Sequence, residues 1–183
     1  MTRFLNFFIC QTLLMLQMLL TPTTSSADQV ADIGKNVFLS LATQINFQVN
    51  DRIQYEPDNS DYWQTPAETE LRKIGDCEDV AILKAHLLRK KGLKWGQLRL
   101  GIGRMDTKGM HVLLLVRSKD SPSSPWYILD NDQDGYITPL LARTDFHLVG
   151  SWDTRSIYRG GGDEVVLTAD TLLSWARVKG SIH

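Results

Sequence analysis

The segment Gly75-Asp76-Cys77-Glu78-Asp79 leaves the backbone little choice. Gly75 breaks the element before it, and Asp76 is a good helix cap. The run Val80-Ala81-Ile82-Leu83-Lys84-Ala85-His86-Leu87-Leu88 then forms a helix. That helix ends near Gly92, with Arg89, Lys90 and Lys91 at its negative end. Cys77 therefore stands in the first turn, facing unpaired backbone N–H groups and the positive end of the macrodipole. Both favour thiolate, the nucleophilic form of the side chain.

The chain has only one other cysteine, Cys10, and it lies in a segment that reads as a secretory signal. Arg3 is the only charge before Asp28. An apolar stretch runs from Phe4 to Leu20, and Ser25-Ser26-Ala27 offers a cleavage site after Ala27. The stretch is short and interrupted by Asn6, Gln11 and Gln17, which favours a cleaved signal over a membrane anchor. Cys10, early and after Phe7-Phe8-Ile9, does not resemble a lipoprotein acylation site. The expectation is a signal peptide over 1–27 and a single exported domain over 28–183. Removing Cys10 rules out an intramolecular disulfide, so Cys77 becomes a candidate reactive group. Charged residues at 22% and hydrophobic residues at 43% suit one globular domain with a core. A formal charge of −1 with no basic stripe gives no sign of a nucleic-acid partner.

Helix signals come first along the chain. Val30, Ile33, Val37, Leu41, Ile45 and Val49 recur at spacings of three and four, which predicts an amphipathic helix over 28–50. A loop follows from Gln54 to Pro66. Thr65-Pro66-Ala67-Glu68 then opens a short helix to about Lys73, with Thr65 as cap, Pro66 at its first position and Glu68 at its third. After Gly92 the texture changes. Gln97 to Arg104, His111 to Ser118 and Trp126 to Asp130 read as strands, with further strands over Phe146 to Ser151 and Ser156 to Tyr158. Lys119 to Pro125 is a turn, Gly160-Gly161-Gly162 reads as a flexible joint, and Thr168 to Val178 as a last helix. Helices followed by mostly antiparallel strands predict an α+β fold.

Two residues complete a chemistry around Cys77. His111 opens the apolar run Val112 to Val116, at a strand edge where an imidazole can face a site. Asp130 ends Trp126-Tyr127-Ile128-Leu129. If the two strands form a hairpin, His111 and Asp130 fall near the same end, and the carboxylate can orient the ring. The other histidines are weaker candidates. His86 lies nine residues after Cys77, about 13 Å along the helix axis. His147 is in a late apolar run, and His183 is terminal. One feature opposes the thiolate: Asp76, Glu78 and Asp79 raise a thiol pKa by like-charge repulsion. Something positive should offset them, either a bound cation or an imidazolium. Asp130 to Gly135 also resembles half of an EF-hand loop, but Leu141 stands where the bidentate Glu belongs. At most a weak oxygen site at Asp132 and Asp134 remains.

The segments Asp61-Tyr62-Trp63-Gln64-Thr65-Pro66-Ala67-Glu68, Gly75 to Ala81, His111-Val112-Leu113 and Ile128-Leu129-Asp130-Asn131 together resemble the bacterial transglutaminase-like cysteine proteinases. The resemblance covers about Asp28 to Trp152. It implies a papain-like, transglutaminase-like fold in which the nucleophile heads a helix packed on an antiparallel sheet. It implies Cys77 as nucleophile, His111 as general base and acid, and Asp130 as orienter. It also implies calcium beside the nucleophile, held by Asp76 and Glu78 with Asp79. Calcium takes six to eight oxygens, and the loop Asp58 to Tyr62 is a candidate for some of the remaining ligands. The backbone N–H of Cys77 would form part of an oxyanion hole, with Gln64 or Trp63 as candidate second donor. By the same resemblance the enzyme works in the periplasm on the N-terminal region of a large surface adhesin. Its release of that adhesin promotes biofilm dispersal, and an inner-membrane cyclic di-GMP receptor sequesters it. Two other readings stay open on the residues: a transferase or amidase using the same triad, and a non-catalytic calcium-dependent adaptor.

Overall fold

The computed structural model describes residues 25–58, 61–106, 109–119, 123–131 and 135–182. Most of the expected signal, together with Asp132, Asp134 and His183, lies outside the described residues. The chain divides into two compact units, residues 1–34 and 35–183. In the first, the described residues 25–34 are mostly helical, and Asp28 accepts from the Ser25 hydroxyl at 2.8 Å. The functional residues all belong to the second.

Helix α1 covers Ser26–Arg52. Its buried face is Phe38, Ala42, Ile45, Asn46 and Val49, whereas Val30, Ile33 and Val37 are exposed. The helical period was thus legible, and the buried face lies within the second unit. A two-stranded parallel pair follows, β1 (Gln54–Tyr55) with β2 (Ile74–Gly75), and between them lies α2 (Pro66–Arg72). Helix α2 starts as expected. Thr65 Oγ1 accepts from Glu68 N at 3.3 Å, Glu68 Oε2 accepts from Thr65 N at 2.7 Å, and Lys73 closes the helix in the left-handed region at φ 60°. The β1–β2 pair holds Gly75 in extended backbone just before α3 (Cys77–Lys90).

Among the described residues, seven strands form one antiparallel sheet. They are β3 (Leu98–Met105), β4 (Gly109–Val116), β5 (Tyr127–Leu129), β6 (Thr138–Pro139), β7 (Phe146–Trp152), β8 (Ser156–Arg159) and β9 (Val165–Thr168). Their spatial order is β6-β5-β4-β3-β7-β8-β9. Alternation along the central strands feeds two cores. Leu98, Leu100, Val112, Leu114, Val116 and Leu129 pack with α1 and α3. Leu113, Leu115 and Ile128 pack on the opposite face with Met105, Trp126 and Phe146. The two-residue strands β1, β2 and β6 are too short to carry a period, and β9 falls in a segment for which no element was expected, just before the expected last helix. That helix is only α4 (Leu173–Val178), after a 3-10 turn over Ala169–Thr171. Gly160 to Gly162 is not a flexible joint. It is the turn of the β8–β9 hairpin, and it is pinned: Gly161 O accepts from Trp126 Nε1 at 3.0 Å and Gly162 O from Arg99 Nη1 at 2.6 Å. No described helix is long and apolar enough to cross a membrane.

Gly103 marks a close approach at the centre of this sheet. It pairs with His111 at a register shift between β3 and β7. A Cβ there would sit 2.5 Å from both His147 O and the Phe146 ring. Phe146 in turn meets the His111 ring edge-on, with centroids 6.5 Å apart. Gly103→Ala is expected to cost about 1–3 kcal/mol, since the obstacle is partly backbone. Urea denaturation measures this, and an unchanged midpoint would show that the sheet yields freely there.

Candidate active site

The site grows from the start of α3. Gly75 is required because Asp79 folds back onto it: a Cβ at Gly75 would lie 2.8 Å from Asp79 Cβ. The Asp79 carboxylate accepts from Gln64 N at 2.6 Å, Gln64 Nε2 at 2.6 Å and Asp76 N at 3.3 Å. Burial raises its pKa to about 6 against these donors. Helix α3 buries Val80, Ala81, Ile82, Leu83, Ala85 and Leu88, a broad face that seats it on β4 and β3.

Cys77 is free and half-buried at the first position of α3. Its thiol meets the backbone N–H of Val112, the residue after His111. Sγ also donates to Glu78 Oε2 at 3.1 Å. Burial is the largest influence on the thiol and drives its pKa far up. The Glu78 and Asp76 charges add to this, and the Val112 bond only partly opposes it. The repulsion expected from sequence is therefore present, and burial exceeds it. Glu78 is pushed to about 7 by burial and by Asp76, with the thiol bond opposing. Asp76 is raised as well, chiefly by burial and further by Asp58.

His111 and Asp130 meet as the hairpin geometry required. The β4–β5 register pairs Leu114 with Leu129, so Asp130 falls opposite Leu113 and diagonal to His111 on one face. His111 Nε2 lies 2.7 Å from Asp130 Oδ1, and both residues are buried. Arg143 Nη1 donates to Asp130 Oδ2 at 2.9 Å. Burial would raise the Asp130 pKa, but the His111 and Arg143 interactions outweigh it and hold the group at about 2. An ionised carboxylate only accepts, so Nε2 carries the proton and Nδ1 holds the lone pair. Asn50 Nδ2 fixes the Asp130 backbone, donating to its carbonyl at 2.8 Å.

The other sequence candidates lie elsewhere. His86 is further along α3, and His147 is exposed and paired with Asp106 at 3.2 Å. Neither proposed second oxyanion donor is available as placed. Gln64 Nε2 serves Asp79, and Trp63 Nε1 donates to Asp61 Oδ1 at 2.9 Å. Of the three acids expected to hold a metal, Asp76 and Glu78 come together while Asp79 is turned to Gln64. Among the described residues, no three His, Cys, Asp or Glu side chains are grouped to hold a metal ion. Asp76 Oδ1 is nevertheless buried with no hydrogen-bond partner, an orphan acceptor that suits a hard cation. Two site residues had no signal in the sequence. Arg143 is a loop residue between strands, and Lys84 is one residue within the helical run Val80 to Leu88.

The model of the bacterial transglutaminase-like cysteine proteinase family matches residues 22–152. The chain belongs to that family. Solved structures similar to this chain include LapG of Legionella pneumophila. Its EGTA-treated form superposes with a TM-score of 0.68 at 26% identity, covering 78% of this chain and 77% of LapG. A second LapG structure gives 0.65 at 26%, covering 78% and 76%. The calcium-bound form gives 0.61 at 26%, covering 87% of this chain and 96% of LapG. None of the curated proteins matches the sequence. The mixed helix and antiparallel sheet arrangement is thus the transglutaminase-like protease fold.

Lys84 is the most unusual group in this family member. It is wholly buried, and its Nζ has no hydrogen-bond partner. Burial lowers its pKa to about 7, against the pull of Asp130. A folded-state pKa below the unfolded value of about 10.4 means that the unfolded chain binds more protons between those limits. The lysine's contribution to stability is present above the unfolded pKa and is lost as pH falls to about 7. Lys84→Met removes this dependence. The stability of wild type relative to Lys84→Met should therefore rise by a few kcal/mol from pH 7 to pH 10. Urea titrations of both proteins across that range measure it; a flat difference would mean that Lys84 reaches solvent.

Proposed function

We propose that this protein is an exported, calcium-dependent cysteine endopeptidase that cleaves the N-terminal region of a large surface adhesin. The observation that carries the reading is the buried His111–Asp130 pair at 2.7 Å, with the backbone N–H of the next residue, Val112, favouring the Cys77 thiolate. In the mechanism, the Cys77 proton passes to His111 Nδ1, because Nε2 is held by Asp130. Sγ attacks the scissile carbonyl carbon, and the oxyanion is met by the backbone N–H of Cys77 at the helix start. The C–N bond then breaks and His111 returns the proton to the leaving amine, leaving a thioester. His111 next deprotonates a water, which attacks the thioester and expels the thiolate. Asp130 keeps the ring in one tautomer and stabilises the imidazolium throughout, and Arg143 holds Asp130.

Asp76 and Glu78 would hold the calcium. Asp76 offers a buried orphan oxygen, and Glu78 brings a second carboxylate whose pKa burial raises and which a divalent cation would hold ionised. When bound, the ion supplies positive charge that offsets the acids and favours the thiolate. Asp79 takes the part of an anchor for the Gln64 loop. The expected setting is the periplasm, after removal of a signal peptide ending near Ala27. The expected outcome is adhesin release and biofilm dispersal, with control by an inner-membrane cyclic di-GMP receptor.

Iodoacetamide tests the thiol. Cys77 should alkylate at least tenfold faster in calcium than in EGTA, read by mass spectrometry of the intact protein. With an adhesin N-terminal fragment, cleavage should occur in calcium, stop in chelator and be abolished by Cys77→Ala. Full cleavage by Cys77→Ala would end the reading, and a calcium-insensitive thiol would remove the metal from it.

A further inference from the structure

The chain beyond residue 152 lies outside the matched family region, yet it reaches back to the site. Trp175 of α4 is fully buried and donates from Nε1 to Asp153 O at 2.9 Å. Its ring meets Trp152 edge-on at 6.5 Å, and Trp152 stacks on Trp63 at 5.8 Å. Two residues further on, and so on the other side of the helix, Arg177 is exposed. Its guanidinium lies 4.0 Å over the Tyr62 ring, and Nη2 donates to Trp63 O. Trp63 C=O and Gln64 N–H belong to one peptide group. The N–H end of that group donates to Asp79 Oδ1 at 2.6 Å. A cation on the carbonyl side and a carboxylate on the amide side polarise the same peptide in the same direction, which strengthens both bonds.

The same loop is held from other sides. Asp61 sits at φ 50°, a strained value for a residue other than glycine. Its carboxylate accepts from Trp63 Nε1 at 2.9 Å and from Ser174 Oγ of α4 at 3.4 Å. Asp58 accepts from Asp61 N and Tyr62 N, each at 3.0 Å. From Asp79 the path is short: it caps the first turn of α3, which Cys77 begins.

We propose that Arg177 is a positioning residue for the nucleophile, acting from the C-terminal segment through the Trp63–Gln64 peptide onto Asp79 and the first turn of α3. The inference rests on the reading of Cys77 as a reactive thiol beside a calcium site. The segment after the β8–β9 hairpin is then part of the working site, although it contributes no group to the chemistry.

Arg177→Met tests this, and because the side chain is exposed the variant should keep its fold. Full-length mature protein is compared with wild type for thermal midpoint, for iodoacetamide alkylation of Cys77 in EGTA, and for the calcium concentration giving half-maximal alkylation. The expected result is a thermal midpoint within a few degrees of wild type. Alkylation is expected to change severalfold in EGTA, and half-maximal calcium to rise about fivefold, the scale of one charged hydrogen bond partly transmitted. Arg177→Lys, which keeps a donor and the charge, should recover part of the loss. Identical alkylation in EGTA and an identical calcium midpoint in Arg177→Met would overturn the proposal, whatever happens to thermal stability. If wild-type alkylation ignores calcium, the calcium reading fails, and the EGTA rates alone decide the role of Arg177. If wild-type Cys77 does not alkylate under either condition, both readings fall together.

Discussion

The seating of α3 on the central strands is the contact on which the rest of the site depends. Ile82, Leu83, Ala85 and Leu88 are buried among Leu98, Leu100, Val112 and Leu114. This apolar burial carries no chemical information, yet it sets the height at which the helix start meets the sheet. With the helix so placed, the Cys77 thiol reaches the Val112 N–H, and His111 follows because it precedes Val112. The antiparallel β4–β5 register then brings Asp130 to the ring. Each polar contact at the site is a consequence of that packing and of strand parity.

The electrostatics divide into two halves with opposite character. Around Asp130 the carboxylate is outnumbered by donors, held ionised by His111 and Arg143, with buried Lys84 close enough to feel its charge. Around Cys77, Asp79 is met by the Gln64 and Asp76 donors, while Asp76 and Glu78 lie together beside the thiol. Burial leaves the thiol protonated, bonds it to Glu78 and leaves one oxygen of Asp76 without a partner. The first half is organised to stabilise an imidazolium; the second stays unsatisfied by the protein's own groups. Such asymmetry suits a site whose nucleophile is formed only when charge arrives from outside.

Local rules carried far where one short segment settled the matter. The Thr65–Glu68 capping box, the helix start after Asp76 and the strands carrying His111 and Asp130 were all readable, because each depends on neighbours in sequence. The glycine triplet misled because composition suggests freedom, whereas Trp126 and Arg99 pin two of its carbonyls. Gln64 is a candidate oxyanion donor in sequence, and in space its amide is held by Asp79.

By itself the sequence determined the thiol, its place at a helix start, the acids around it and the order of cysteine, histidine and aspartate along the chain. These are matters of adjacency and period. Only the tertiary structure decided that Arg143 would hold Asp130, that Lys84 would be buried without a partner, and that Asp79 would anchor a loop reached from α4. Those pairings join residues far apart along the chain. The packing of apolar faces selects them, and nothing in the local sequence of either partner records the meeting.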